Sequence, residues 1–281
     1  MAKTPEILLS GLSFPEGPRW HDGRLWFSDF YTFRVLTVDL QGRETTIAEA
    51  PQRPSGLGWR PDGTLLVVSM VDRRLMRLEG GALTLVAELD GLATGHCNDM
   101  VVDREGRAYV GNFGYDSHNN APPRLTRIIR VDPDGSARAV GDEVFFPNGM
   151  VITPDGKRLI VGETRANRLS VFDIAADGAL GNRRLFAEIP NCLPDGICLD
   201  AEGAVWVTDA GGKRALRVFE GGRIAETIST GEQGCYACML GGEDGRTLFL
   251  CTSSGSGPKM AEKRDGRIEF TRVEVPHAGL P

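Results

Sequence analysis

The chain has 281 residues, of which 41% are hydrophobic and 25% charged, with a net charge of −6. That length can bury a substantial core, while the lack of a long apolar run argues against a membrane span and the lack of a basic cluster argues against nucleic acid as a partner. The opening MAKTPEILLSGLSF has no basic stretch followed by an apolar core, the mark of a secretion signal, so a cytoplasmic location is expected.

One pattern recurs six times along the chain: a polar residue, a short apolar stretch, a turn ending in Gly, then a hydrophobic strand. In order, the copies are EGPRWHDGRLWFSDF from Glu16, SGLGWRPDGTLLVVSM from Ser55, NDMVVDREGRAYVGNF from Asn98, NGMVITPDGKRLIVGE from Asn148, DGICLDAEGAVWVTDA from Asp195 and YACMLGGEDGRTLFLCTS from Tyr236. Each reads as a β-hairpin, because β-branched and aromatic runs such as those opening at Arg24, Thr64, Arg107, Arg158 and Ala204 follow DG or EG turns. Third strands follow at Arg34, Arg74 and Arg168, and shorter fourth strands fit at Glu44 and Leu83. No helical period is sustained anywhere. The turn glycines Gly23, Gly63, Gly106, Gly156, Gly203 and Gly245 lie 40 to 50 residues apart. Four short strands at that period predict an all-β fold, a six-bladed β-propeller forming a single domain over residues 1–281.

The ends of the chain must close the ring. The last blade has its third strand near Arg267–Thr271, and few residues remain after it. The N-terminal stretch from Glu6 is therefore predicted to supply the missing outer strand. The longest interval, 50 residues, contains the polar, Pro-containing stretch 114–124, read either as a passive surface loop or as the border of a substrate entrance. The six cysteines fit a set of free, buried thiols better than a disulfide framework or a zinc site, since Cys235-Tyr-Ala-Cys238 has no partner motif. A closed propeller leaves few exposed edges, so a monomer or a weak oligomer is expected.

In a propeller the first strand of each blade lies innermost, so the residues opening it converge at one mouth of the central channel. Here they are Glu16, Ser55, Asn98, Asn148, Asp195 and Tyr236. Asn, Asp and Ser before Gly are common turn residues, but Glu16 has no turn preference. Two carboxylates and two carboxamides brought together suit a hard divalent cation, and buried carboxylates without one would be costly.

At these residues a family resemblance emerges. Phe14-Pro-Glu-Gly-Pro-Arg-Trp20, Cys97-Asn-Asp99, Phe146-Pro-Asn-Gly-Met150 and Leu193-Pro-Asp-Gly-Ile-Cys-Leu-Asp200 together resemble the signature segments of the SMP-30/gluconolactonase/LRE-like family, six-bladed propeller lactonases that need a divalent metal. The resemblance implies Glu16, Asn148 and Asp195 as metal ligands and Asn98 as a fourth ligand or a substrate contact. It implies Asp99 beside the substrate and Asp195 as general acid/base. Where sugar-lactone-hydrolysing relatives often carry Arg, this chain has His96, a residue with fewer donors for a polyhydroxylated ring. Ca²⁺ is the expected ion, with Mg²⁺, Mn²⁺, Zn²⁺ or Fe²⁺ as alternatives.

The reaction expected is metal-assisted hydrolysis of a small lactone, with Asp195 or Asp99 moving the proton. No Gly-x-Ser-x-Gly nucleophile elbow is present. Two other readings follow from the same residues: an aryl esterase or organophosphate hydrolase at this metal, or a propeller that binds a ligand without turning it over.

Overall fold

The computed structural model describes residues 4–116, 119 and 121–281. Within the predicted 114–124 loop, Ser117, His118 and Asn120 therefore lie outside the described residues. Six sheets of four strands each are arranged as the blades of a propeller. In the first blade the strands are Pro15–His21, Arg24–Asp29, Arg34–Val38 and Glu44–Glu49, each antiparallel to the next. The six turn glycines all have positive φ, as at Gly23 (+73°) and Gly203 (+80°), so the hairpins form where Gly alone is unstrained.

The innermost strands are Pro15–His21, Pro54–Trp59, Cys97–Val102, Pro147–Ile152, Pro194–Leu199 and Gly234–Gly241. Each packs against the next around the axis, including the first against the last. Cys97–Val102 and Pro147–Ile152 are buried throughout, which is why they read as apolar runs without alternation. The fourth strands, such as Glu44–Glu49, face water on most positions and carry the polar residues.

The ring closes as the sequence predicts. Strand Glu6–Leu12 pairs antiparallel with Gly266–Arg272, from Glu6↔Phe270 to Leu12↔Gly266, with register shifts between Ile7 and Leu9 and between Ser10 and Leu12. A second clasp was not read from the sequence. The C-terminal tail crosses the face opposite the mouth, with His277 N–H donating to Gly245, Ala278 N–H to Leu199 and Leu280 N–H to Ile152, and so joins blades six, five and four.

The core lies between the blades rather than within one layer. Trp20 of blade one stacks on Phe249 of blade six with centroids 5.4 Å apart, and Leu25, Phe27, Trp206 and Leu248 fill the same cluster. All six cysteines are free and buried, and burial pushes the thiols of Cys97 and Cys192 up to about 12, so they stay as inert hydrophobes. Among the described residues, the one α-helix is Met260–Lys263, and no helix is long and apolar enough to cross a membrane.

Candidate active site

The residue after each mouth position explains a pattern that resembles a row of turns. Glu16-Gly17, Ser55-Gly56, Asn148-Gly149 and Asp195-Gly196 lie inside strands, not at turns. A Cβ on Gly149 would sit 2.4 Å from the Ile197 nitrogen, and one on Gly196 would sit 2.6 Å from the Ala237 Cα. In these four blades the inner strands thus approach too closely near the axis for a side chain at that position. At the same place every blade has a register shift, such as those between Glu16 and Arg19, Pro147 and Met150, and Pro194 and Ile197. A bulge of this kind re-aims one side chain out of the ladder. Here Glu16, Asn98, Asn148, Asp195 and Tyr236 line the mouth, while Ser55 is buried and donates to Asn98 Oδ1 at 3.5 Å.

Acids at the ends of the second strands hold the backbone leading into three of these positions. Asp29 accepts from Phe14 N–H at 2.7 Å and Ser13 N–H at 3.0 Å. Glu163 accepts from Phe145 N–H at 2.8 Å and Asp209 from Leu193 N–H at 3.3 Å. All three are fully buried, and Glu163 and Asp209 are also paired with arginines.

The mouth encloses a cavity of about 370 Å³, lined by Glu16, Asn98, Asn148 and Asp195 among others. Among the described residues neither Glu16 nor Asp195 forms an ion pair, and no three His, Cys, Asp or Glu gather into a ligand set. The donors are two carboxylates and two carboxamides. Desolvation pushes Asp195 up to about 8 against a hydrogen bond from Asn148, with the charges of Asp99 and Asp209 adding to the rise. Desolvation, then the charge of Asp195, likewise raises Glu16 well above the usual carboxylate range, although Gly17 N–H donates to it at 2.8 Å. Two desolvated acids whose ionised forms are further disfavoured by neighbouring carboxylates, set among oxygen donors and without an ion-pair partner, fit a hard divalent cation. Asn148 Nδ2 donates to Thr164 Oγ1 at 3.3 Å, which leaves its carbonyl oxygen for the mouth.

The other two candidates lie elsewhere. Asp99 is buried beneath the mouth and ion-paired with Arg19 at 2.5 Å, and is not among the cavity-lining residues. Arg19 reaches across blade two, donating from Nε to the Leu57 carbonyl at 3.0 Å and from Nη2 to the Met100 carbonyl at 2.6 Å. It locks blades one, two and three together under the site. His96 packs 6.0 Å from Phe113, one ring behind the cavity wall.

Sequence reasoning did not single out the wall itself. Phe113 stacks on Phe146 at 4.4 Å, and Phe14 meets Tyr236 edge-on at 4.7 Å. Arg53 and Arg165 also line the cavity. Phe14, Phe146 and Arg19 lie inside the signature-like segments quoted above, close to the mouth residues, and that adjacency was the available signal. Arg53 stands on the lead-in to blade two, at the position of Phe14 and Phe146, and Arg165 on the turn after Glu163, at the position of Tyr31, but the residue type differs at each.

With this geometry in view, the comparisons with known proteins are specific. The description SMP-30/Gluconolactonase/LRE-like region matches residues 14–254, and the chain belongs to that family. A pentonolactonase of Haloferax volcanii is 30% identical over 95% of this chain and 92% of its own. A 6-deoxy-6-sulfogluconolactonase of Pseudomonas putida is 27% identical over 95% and 93%. Among solved structures, a calcium-binding regucalcin from Agrobacterium tumefaciens superposes with a TM-score of 0.80 at 21% identity, covering 100% of this chain and 97% of its own, which supports the fold.

Proposed function

We propose that the protein is a divalent-metal-dependent lactonase that opens a small cyclic ester to its hydroxy acid, with Glu16, Asn148, Asp195 and Asn98 holding the ion. The observation that carries this reading is the pair of desolvated, cation-less carboxylates at the channel mouth. Relatives across nearly the whole chain named as lactonases supply the reaction class. Ca²⁺ is the first choice of ion, since the donors are all oxygens and one structural neighbour is described as calcium-binding.

A divalent cation bound there supplies Lewis acidity toward the ester carbonyl and charge to offset the oxyanion. The chain's own residues do the rest. Asp195, ionised once its charge is balanced, takes the proton of the attacking water and returns it to the leaving alkoxide. Asn98 orients the ring from blade three. Phe113 and Phe146 form a flat wall that keeps bulk water from the reacting face. Asp99, held by Arg19, is a positioning residue that fixes the strand carrying Asn98 rather than a base. The aromatic wall also favours, as the second reading, an aryl ester at the same centre.

The test is acid release from a lactone panel. Activity should vanish on chelation, return with Ca²⁺, and fall about a thousandfold in Asp195→Ala. Full activity of that variant would overturn the assignment.

A further inference from the structure

Beyond the four oxygen donors, most of the cavity wall is aromatic. Phe113, after the second strand of blade three, and Phe146, before the first strand of blade four, stack at 4.4 Å with their planes 15° apart. Phe14, Phe30, Tyr31 and Tyr236 form a second group on blades one and six, with Phe14 5.2 Å from Phe30 and 4.7 Å from Tyr236. In a ring of six blades the junction of three and four lies opposite that of six and one, so the two groups face each other across the mouth. With Met70 and Met260 these rings make an apolar cluster of their own, apart from the cores between the blades.

Phe146 is held there at a backbone cost. The residues standing two before the mouth positions are Phe14, Arg53, His96, Phe146, Leu193 and Gly234, and only Phe146 has positive φ, +59°. It also precedes Pro147, and a residue before proline favours extended backbone. A bulky side chain rarely enters the left-handed region, and it stays only where its surroundings fix it. Here they do. Phe145 N–H donates to Glu163 at 2.8 Å, Thr164 N–H donates to the Phe146 carbonyl at 3.1 Å, and the Phe146 ring lies 6.0 Å from Tyr115 as well as on Phe113. A different device seats Tyr236. A Cβ on Gly234 would lie 2.9 Å from the Tyr236 Cε2, so blade six gives up a side chain to make room for the ring. The Tyr236 hydroxyl reaches the Ser256 side chain, and that of Tyr31 the Gly257 backbone, so the protein itself takes up their polar ends.

We propose that the substrate is a lactone carrying an aromatic ring, whose ester sits at the Glu16–Asp195 side while its ring packs on the Phe113–Phe146 pair. This rests on the lactonase reading, and it adds a substrate class that the metal donors do not set. A polyhydroxylated substituent at that place would press hydroxyls against ring carbons at a desolvation cost. An aryl group gains both burial and an aromatic pair.

The experiment compares γ-phenyl-γ-butyrolactone, its γ-methyl counterpart and D-ribono-1,4-lactone at saturating Ca²⁺. The phenyl and methyl compounds share a secondary alkoxide leaving group, so the ratio of their kcat/KM values reads the ring. For wild type this ratio should be at least about tenfold, the worth of one buried aromatic pair, and the phenyl lactone should rank above the sugar lactone. Leucine keeps the apolar bulk and removes the flat face, so Phe146→Leu should bring the ratio toward one, while Phe146→Tyr should keep it. A wild-type ratio near or below one, or a sugar lactone preferred to the phenyl one, overturns the proposal. So does a ratio unchanged in Phe146→Leu or lost equally in Phe146→Tyr. Should Phe146→Leu fail to fold, Phe113→Leu takes its place with the same outcomes. If no lactone is turned over, the lactonase reading fails, and binding of the ring-opened acids decides this one separately. Calorimetry should then show 4-hydroxy-4-phenylbutyrate binding wild type about tenfold more tightly than 4-hydroxypentanoate does. Equal binding of the two acids overturns it.

Discussion

Two sets of acids occupy repeat positions in this ring, and they meet opposite fates. Asp29, Glu163 and Asp209 close the second strands of blades one, four and five, and each is satisfied by backbone N–H groups, with arginines added at Glu163 and Asp209. Glu16 and Asp195 open the first strands of blades one and five, and neither has a cationic partner among the described residues. Burial pushes Glu163 up, but hydrogen bonds from Arg168, Ser170, Phe145 N–H and Arg183 together hold it below the usual carboxylate range. At the mouth burial wins, and Glu16 and Asp195 are raised. The difference shows that burial alone does not mark a functional acid. What marks it is burial left uncompensated by the protein's own groups.

The largest expected effect separates the two sets by activity. Asp195→Asn and Asn148→Ala should each reduce lactone hydrolysis by about two to four orders of magnitude with the circular dichroism spectrum unchanged. Glu163→Gln should leave the cation site in place and act on stability instead. Removing one member of a buried charge cluster costs about 3–5 kcal/mol, visible as a lower midpoint in urea unfolding.

The same comparison has a signature in pH. Glu163 has a lowered pKa when folded, so its stabilisation is fully present above the unfolded value of about 4.3 and is lost as pH falls through the folded value. Asp195 has the opposite sign in chelated protein: its contribution is present below about 3.9 and is lost as pH rises through about 8. Melting temperatures of wild type, Glu163→Gln and Asp195→Asn across pH 3–9, with chelator, should show the acid limb flattened in the first variant and the alkaline limb flattened in the second. Identical profiles would break the comparison.

A smaller effect tests how the mouth is aimed. Gly149→Ala places a Cβ against the backbone of the next inner strand, 2.4 Å from the Ile197 nitrogen. The overpacking should cost about 1–3 kcal/mol, and the displaced strand should lower activity more than it lowers the melting temperature.

The fold was legible because hairpin turns and strand runs repeat, and a repeat is a signal that a single turn is not. The closing strand at Glu6–Leu12 followed from the need to complete the last blade. The C-terminal clasp was not legible, since residues 276–281 make scattered hydrogen bonds and no strand pattern. At the site, Glu16, Asn98, Asn148 and Asp195 were visible as one aligned column, and the structure brings all four to one cavity. Asp99 stood in the same segment as Asn98 but takes the glycine position of its blade and turns to Arg19. Alternation along a bulged strand cannot reveal which neighbour faces the axis. The bracing acids Asp29, Glu163 and Asp209 form a second aligned column that the sequence also displays, but the backbone N–H groups they hold lie 15, 18 and 16 residues upstream, across the hairpin. Arg53 aligns with Phe14 and Phe146, and Arg165 with Tyr31, but the residue type changes from blade to blade at those positions, so the alignment alone did not mark them.

The central claim is that the unpaired acids at the mouth hold a divalent cation. Calorimetric titration of chelator-treated protein with Ca²⁺ addresses it most directly, run in parallel on wild type, Asp195→Asn and Glu163→Gln. Wild type and Glu163→Gln should bind about one ion per chain, with a stabilisation of about 2.7 kcal/mol at one hundred times the dissociation constant, and Asp195→Asn should show no saturable binding. Equal binding by all three proteins, or binding by none with Mg²⁺ and Mn²⁺ also silent, would contradict the account.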